Sequence, residues 1–70
     1  MKIELCYYDL VEEKYIFPTP INSTEVLFIP IEGDTLLVDG WGYIVGKREF
    51  HYENDATKIT VFCTRERKRR

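Results

Sequence analysis

The residue types able to do chemistry in this chain are few: one histidine, His51, two cysteines, Cys6 and Cys63, and three carboxylates close together in sequence, Glu32, Asp34 and Asp39. Nucleophilic catalysis needs a nucleophile beside a base and a third group that orients the base. His51 lies in Arg48-Glu49-Phe50-His51-Tyr52, on a strand parity that faces solvent, and no motif ties it to either thiol. The cysteines are too far apart for paired metal-ligand spacing and too few for a disulfide framework. They fall on the first and last predicted strands, which are neighbours in many small barrels, but a bridge between them would need an oxidising setting. The three carboxylates offer oxygen ligands to a hard cation, yet aspartates in such turns more commonly accept hydrogen bonds from their own backbone. The expectation is no catalytic residue, no metal and no cofactor.

Binding chemistry is better represented. Trp41 follows the Asp39-Gly40 turn, and Tyr8 and Phe62 fall on the outward parity of their strands. Aromatics exposed in this way stack on bases, prolines or cationic groups. With the acidic rim Glu32, Asp34, Asp39 and Glu49 they form the expected surface for a protein partner. A partly exposed aromatic patch on so small a domain also suits self-association.

Charge is divided unevenly along the chain. Residues 1–64 hold five Lys/Arg against eleven Asp/Glu, whereas Arg65-Glu66-Arg67-Lys68-Arg69-Arg70 holds five against one, so a body of −6 precedes an end of +4. Arg65, Arg67, Lys68, Arg69 and Arg70 can neutralise about four phosphates, and with Tyr43 or Trp41 stacking on bases they define an alternative nucleic-acid site. The acidic body would repel a phosphate backbone, which places the protein partner first. A nucleotide held in an oligomer interface is a third reading of the same residues.

The elements that must position these groups are strands. Lys2-Ile3-Glu4-Leu5-Cys6-Tyr7 alternates with Ile3, Leu5 and Tyr7 on one face, the period-2 mark of a half-buried strand. Asp9 to Glu12 reads as a turn into Lys14-Tyr15-Ile16-Phe17, giving an N-terminal hairpin. Pro18-Thr19-Pro20 ends it, because proline lacks the ladder donor, and residues 18–25 read as loop. Val26-Leu27-Phe28-Ile29 reads as a short strand or extended segment, with one helical turn capped by Asn22 as the alternative. Gly33-Asp34 turns into the strand Thr35–Val38, and Asp39-Gly40 is the pair favoured where both loop residues need positive φ.

A strand then runs from Trp41 to about Tyr52. Tyr43 and Val45 share one parity, whereas Phe50 and Tyr52 share the other, so one bulged residue near 46–47 would bring all four to the inside. After the polar turn at 53–57, Lys58–Thr64 forms the last strand, with Ile59, Val61 and Cys63 inward. Five to six strands, tight glycine turns and no convincing helix predict an all-β domain over 1–64. They favour a small antiparallel barrel, since closure hides the sheet edges, followed by a flexible basic tail over 65–70. Seventy residues allow one domain with a thin core. The absence of an apolar run of roughly 20 residues or of a leader pattern leads to the expectation of a cytoplasmic protein that does not enter a membrane.

Pro30-x-x-Gly33-Asp34, the alternating strand after it, Gly40-x-x-Tyr43-x-Val45 and the later aromatic pair resemble the pattern of short SH3-like β-barrel proteins of phages and mobile elements, over roughly residues 28–64. The resemblance implies an SH3-like barrel and the setting of a phage or mobile element; joined to the outward aromatics and the acidic rim, it leads to the expectation of an accessory protein that binds a host protein, with inhibition of that protein as one form of the expectation. It brings no catalytic residues with it.

Overall fold

The computed structural model describes residues 2–23 and 29–68, and these build one six-stranded sheet. The strands are β1 (Lys2–Asp9), β2 (Lys14–Tyr15), β3 (Ile21–Ser23), β4 (Thr35–Val38), β5 (Trp41–Tyr52) and β6 (Ala56–Lys68). They lie side by side in the order β2-β1-β6-β5-β4, and β3 pairs with β1 farther along the edge that β2 occupies. The fold is all-β, as the alternation requires. Among the described residues there is no helix long and apolar enough to cross a membrane.

Two features depart from the expected antiparallel barrel. The sheet does not close, since β4 lies at one edge and β2 and β3 at the other. At its centre β1 and β6 run parallel, from Lys2 opposite Ala56 to Asp9 opposite Cys63. Period-2 alternation fixes which side chains share a face but is blind to strand direction, so parity could not reveal this pairing. The chain accommodates it because parallel neighbours need only a long connection, and β2 to β5 supply one. β3 forms where residues 18–25 were expected to be loop, and most of the strand expected over Val26–Ile29 falls outside the described residues.

The core lies on one face, where Leu5 of β1, Tyr43 and Val45 of β5, and Ile59, Val61 and Cys63 of β6 are buried together. Each such aliphatic side chain contributes about 1.5–3 kcal/mol relative to exposure. β5 carries the irregularity that its parity demanded: its register with β6 shifts between Val45 and Arg48, and Val45 opposes Cys63 while Phe50 opposes Ile59 and Tyr52 opposes Thr57. Tyr43, Val45, Phe50 and Tyr52 therefore share a face. Burial does not follow suit, because Phe50 and Tyr52 remain 42% and 75% exposed.

The turns obey local chemistry. Asp39 and Gly40 adopt φ of 51° and 83° between Val38 and Trp41, which pair with each other, as a two-residue hairpin loop of this kind needs. The Asp34 carboxylate accepts a hydrogen bond from the Ile31 N–H at 2.9 Å. Gly33 N–H donates to the Val45 carbonyl and Val45 N–H to the Asp34 carbonyl, each at 2.8 Å, which fastens this turn to β5 beside its bulge.

Candidate protein-binding face

On the face opposite the core, β1 presents Glu4, Cys6 and Tyr8, and β6 presents Lys58, Thr60, Phe62 and Thr64. Register brings three aromatics into a row across the strands: Tyr15 opposes Tyr8, and Tyr8 opposes Phe62. The Tyr8 ring meets Tyr15 at 5.1 Å and 79°, and Phe62 at 5.9 Å and 67°. Edge-to-face pairs of this kind add about 0.5–1.5 kcal/mol beyond the area they bury. The row ends on a cation, with Lys47 Nζ 5.5 Å from the Phe62 ring centre and 3.3 Å from the Glu49 carboxylate. Next to Lys47, Gly46 lies close against β6, where a Cβ would sit 3.4 Å from the Phe62 carbonyl oxygen.

Beside Tyr15 the chain leaves the edge of β1. Ile16 N–H still donates to the Tyr7 carbonyl at 2.8 Å, and Ile21 rejoins β1 opposite Leu5. The excursion between them, with Phe17 set edge-on to Tyr7 at 5.8 Å, leaves an open, mainly apolar groove of about 260 Å³ against Cys6, Tyr15 and Pro18 to Pro20. The prolines bring no N–H to it, so the groove favours apolar side chains over hydrogen-bonded backbone.

The other anticipated groups lie elsewhere. Trp41, expected with the outward aromatics, is half-buried against the core, and the Arg65 guanidinium stacks 4.4 Å from its ring centre. A residue just after a hairpin loop keeps the parity of its strand, and that of Trp41 is the parity of Tyr43 and Val45. Glu32, Asp34 and Asp39 cluster around the turns flanking β4, away from the aromatic row. Among the described residues no three His, Cys, Asp or Glu side chains come together to hold a metal ion. Glu49 alone of the expected rim stands beside the row.

The basic end begins as strand. β6 continues past Thr64 to Lys68, with Tyr43 opposite Arg65 and Trp41 opposite Lys68, so residues 65–68 extend the sheet instead of starting a flexible tail. Arg65 binds the Glu12 carboxylate at 3.2 Å, and Tyr43 is buried, which commits both to internal contacts. The side chains of Arg67 and Lys68, and all of Arg69 and Arg70, lie outside the described part.

Sequence reading missed Asp9. It is 1% exposed, and its Oδ1 accepts hydrogen bonds from the N–H groups of Val11 (2.8 Å) and Glu12 (3.2 Å) to close the β1–β2 turn, while Oδ2 is buried without a protein partner. Asp9 continues the inward series Ile3, Leu5, Tyr7, and that continuation was the available signal. Its charge is felt nearby. Burial first, and Asp9 second, push the Cys63 thiol up to about 11 and raise the Tyr43 phenol above its ordinary value. Cys63 is thus a protonated, inert thiol at neutral pH. Cys6, also shifted upward, chiefly by burial and then by Glu4, lies on the opposite face. Both cysteines are free, because neighbouring strands carry them on different sides of the sheet. His51 is exposed, opposite Lys58.

Comparison with family models, curated proteins and solved structures finds no match for this chain.

Proposed function

We propose that this protein is a non-enzymatic interaction module that docks a protein partner on the outer face of β1 and β6, through the Tyr15–Tyr8–Phe62 row and the groove beside it. One observation carries the reading. Parallel strand pairs normally have both faces covered, and here the second face of the β1–β6 pair carries an aromatic row whose outer member, Tyr15, is 57% exposed. A row of rings half-buried at Tyr8 and Phe62 and open to water at Tyr15 is what a partner would cover. The excess of acid over base in residues 1–64 favours a partner of positive surface charge. The protonated state of Cys63 speaks for binding over catalysis. The SH3-like resemblance adds the setting of a phage-encoded inhibitor acting on an intracellular host protein.

The reading is tested by capture of host proteins on the immobilised full chain, comparing wild type with Tyr15→Lys and with Phe62→Ser, and with Leu37→Lys on the distant β4 as control. A stoichiometric partner retained by wild type and the control but lost by both row variants is the expected result. Indifference of capture to both row variants overturns it. Salt-dependent binding of labelled DNA or RNA, lost when Arg67, Lys68, Arg69 and Arg70 are replaced by serine, would turn the assignment to nucleic acid.

A further inference from the structure

The second half of β5 has one neighbour where the first half has two. Trp41, Tyr43 and Ile44 pair with both β4 and β6, whereas beyond the bulge residues 48–52 pair only with β6, and among the described residues nothing pairs with their other edge. Every residue of this stretch is exposed. An unpaired strand edge is a template for another strand. We infer that the Lys47–Glu53 edge of β5 pairs antiparallel with the same edge of a second copy of this chain, about a twofold axis at Phe50.

Hydrogen-bond phase limits the registers. Glu53 N–H donates to the Ala56 carbonyl at 2.8 Å, closing the hairpin as a hydrogen-bonded pair. Such pairs alternate along an antiparallel ladder, so Glu49 and His51 turn their backbone groups toward β6, and Arg48, Phe50 and Tyr52 turn theirs toward the free edge. A symmetric partner must then set even-numbered residues opposite even-numbered ones. With Arg48 on the axis, two guanidinium groups oppose each other; with Glu49 on it, two carboxylates do; with His51 on it, Glu49 faces the second copy's Glu53. Like charges directly opposite are destabilising.

Placing Phe50 on the axis removes every such conflict. Phe50 meets Phe50, Arg48 faces Tyr52, Glu49 faces His51, and Lys47 faces Glu53 of the second copy. Arg48 already stacks on an aromatic ring within its own chain, 5.6 Å from the Phe50 centre, and the dimer would offer it Tyr52, the most exposed large hydrophobic residue described. The charges that usually guard an edge are here complementary across it. On this edge β4 covers residues 41–44 and the Gly33–Asp34 turn reaches Val45, so both stop short of the paired stretch 47–53. The interface is isologous and closes on itself.

The test is sedimentation of the full chain with crosslinking. Wild type is expected to dimerise, and Phe50→Lys, which sets lysines opposite each other at an already exposed position, is expected to weaken dimerisation by at least about tenfold. His51→Glu should weaken it by opposing two carboxylates, and adding Glu49→His to it should restore it by exchanging the pair. In a Cys6→Ser background, Phe50→Cys should form a covalent dimer on mild oxidation, since hydrogen-bonded partners sit about 5.5 Å apart at Cα, within disulfide reach, and Arg48→Cys should not. A chain monomeric at all accessible concentrations, or a dimer indifferent to Phe50→Lys, overturns the proposal, as does crosslinking through Arg48→Cys in place of Phe50→Cys.

Discussion

The two halves of β5 are one strand with two fates. From Trp41 to Val45 it is flanked on both sides, closes over the core and is fastened by the Gly33–Asp34 turn; from Lys47 to Tyr52 it has, among the described residues, β6 alone, and every side chain reaches water. The halves differ in composition, Trp41 to Val45 carrying no charge and the later half carrying Lys47, Arg48 and Glu49, but each alternates aromatic residues with others and both point their aromatics to the same face. For those aromatics, neighbours decide burial. Tyr43 is part of the core because β4 and the turn before it flank its segment, and Tyr52 is a surface residue because, among the described residues, no such element follows β5 past its bulge.

This contrast orders the expected effects of substitution. Val45→Asp places an unpaired charge where exposure is 1% and should cost more than about 3 kcal/mol, leaving the chain unfolded in a urea titration followed by tryptophan fluorescence. Asp9→Ala strips two turn N–H groups of their acceptor close to the same buried end and should cost about 1–3 kcal/mol. A loss below a few tenths of a kcal/mol would mean that the turn is held by other contacts.

Alkali should act on the buried core through Cys63. The Cys63 thiol, ordinarily 9.0, is held near 11 in the folded protein, so between these values the folded chain keeps a proton that the unfolded chain has released, and stability falls as pH rises through this window. The loss should be about 2–3 kcal/mol across the window, with the Tyr43 shift acting in the same direction at higher pH, and Cys63→Val should remove the thiol's share. Arg65→Lys gives up the planar stack on Trp41 and the fork toward Glu12 and should cost about 0.5–1 kcal/mol. Phe50→Thr in the exposed half should change monomer stability by less than about 0.5 kcal/mol. A larger loss for Phe50→Thr than for Arg65→Lys would break the comparison.

Much of this arrangement was legible in residue order. The Thr35–Val38 and Trp41–Tyr52 strands, the Asp39-Gly40 loop and the bulge that reconciles Val45 with Phe50 follow from turn chemistry and parity, which are local. Strand direction is not local, and the parallel placing of Ile3 beside Thr57 left no trace in either segment. The outward parity of Tyr8 and Phe62 was visible, but their meeting with Tyr15 depended on which strands adjoin. Trp41, beside its loop, reads as the aromatic best placed for exposure, while the parity it shares with Tyr43 and Val45 sets it half-buried on the core side. Asp9 was passed over because an aspartate before a turn has an ordinary role, and only burial of its second oxygen makes it unusual.

The parallel β1–β6 pair bears on how the chain acquires its structure during synthesis. Its partners lie roughly fifty residues apart, so the first strand to leave the ribosome waits for the last before the middle of the sheet exists. Local hairpins such as β4–β5 can close early, but the pairing that unites them has high contact order and should set a slow overall rate. Until then Ile3, Leu5 and Tyr7 stay without their β6 neighbours, and in that interval the nascent chain is most open to aggregation or to a chaperone.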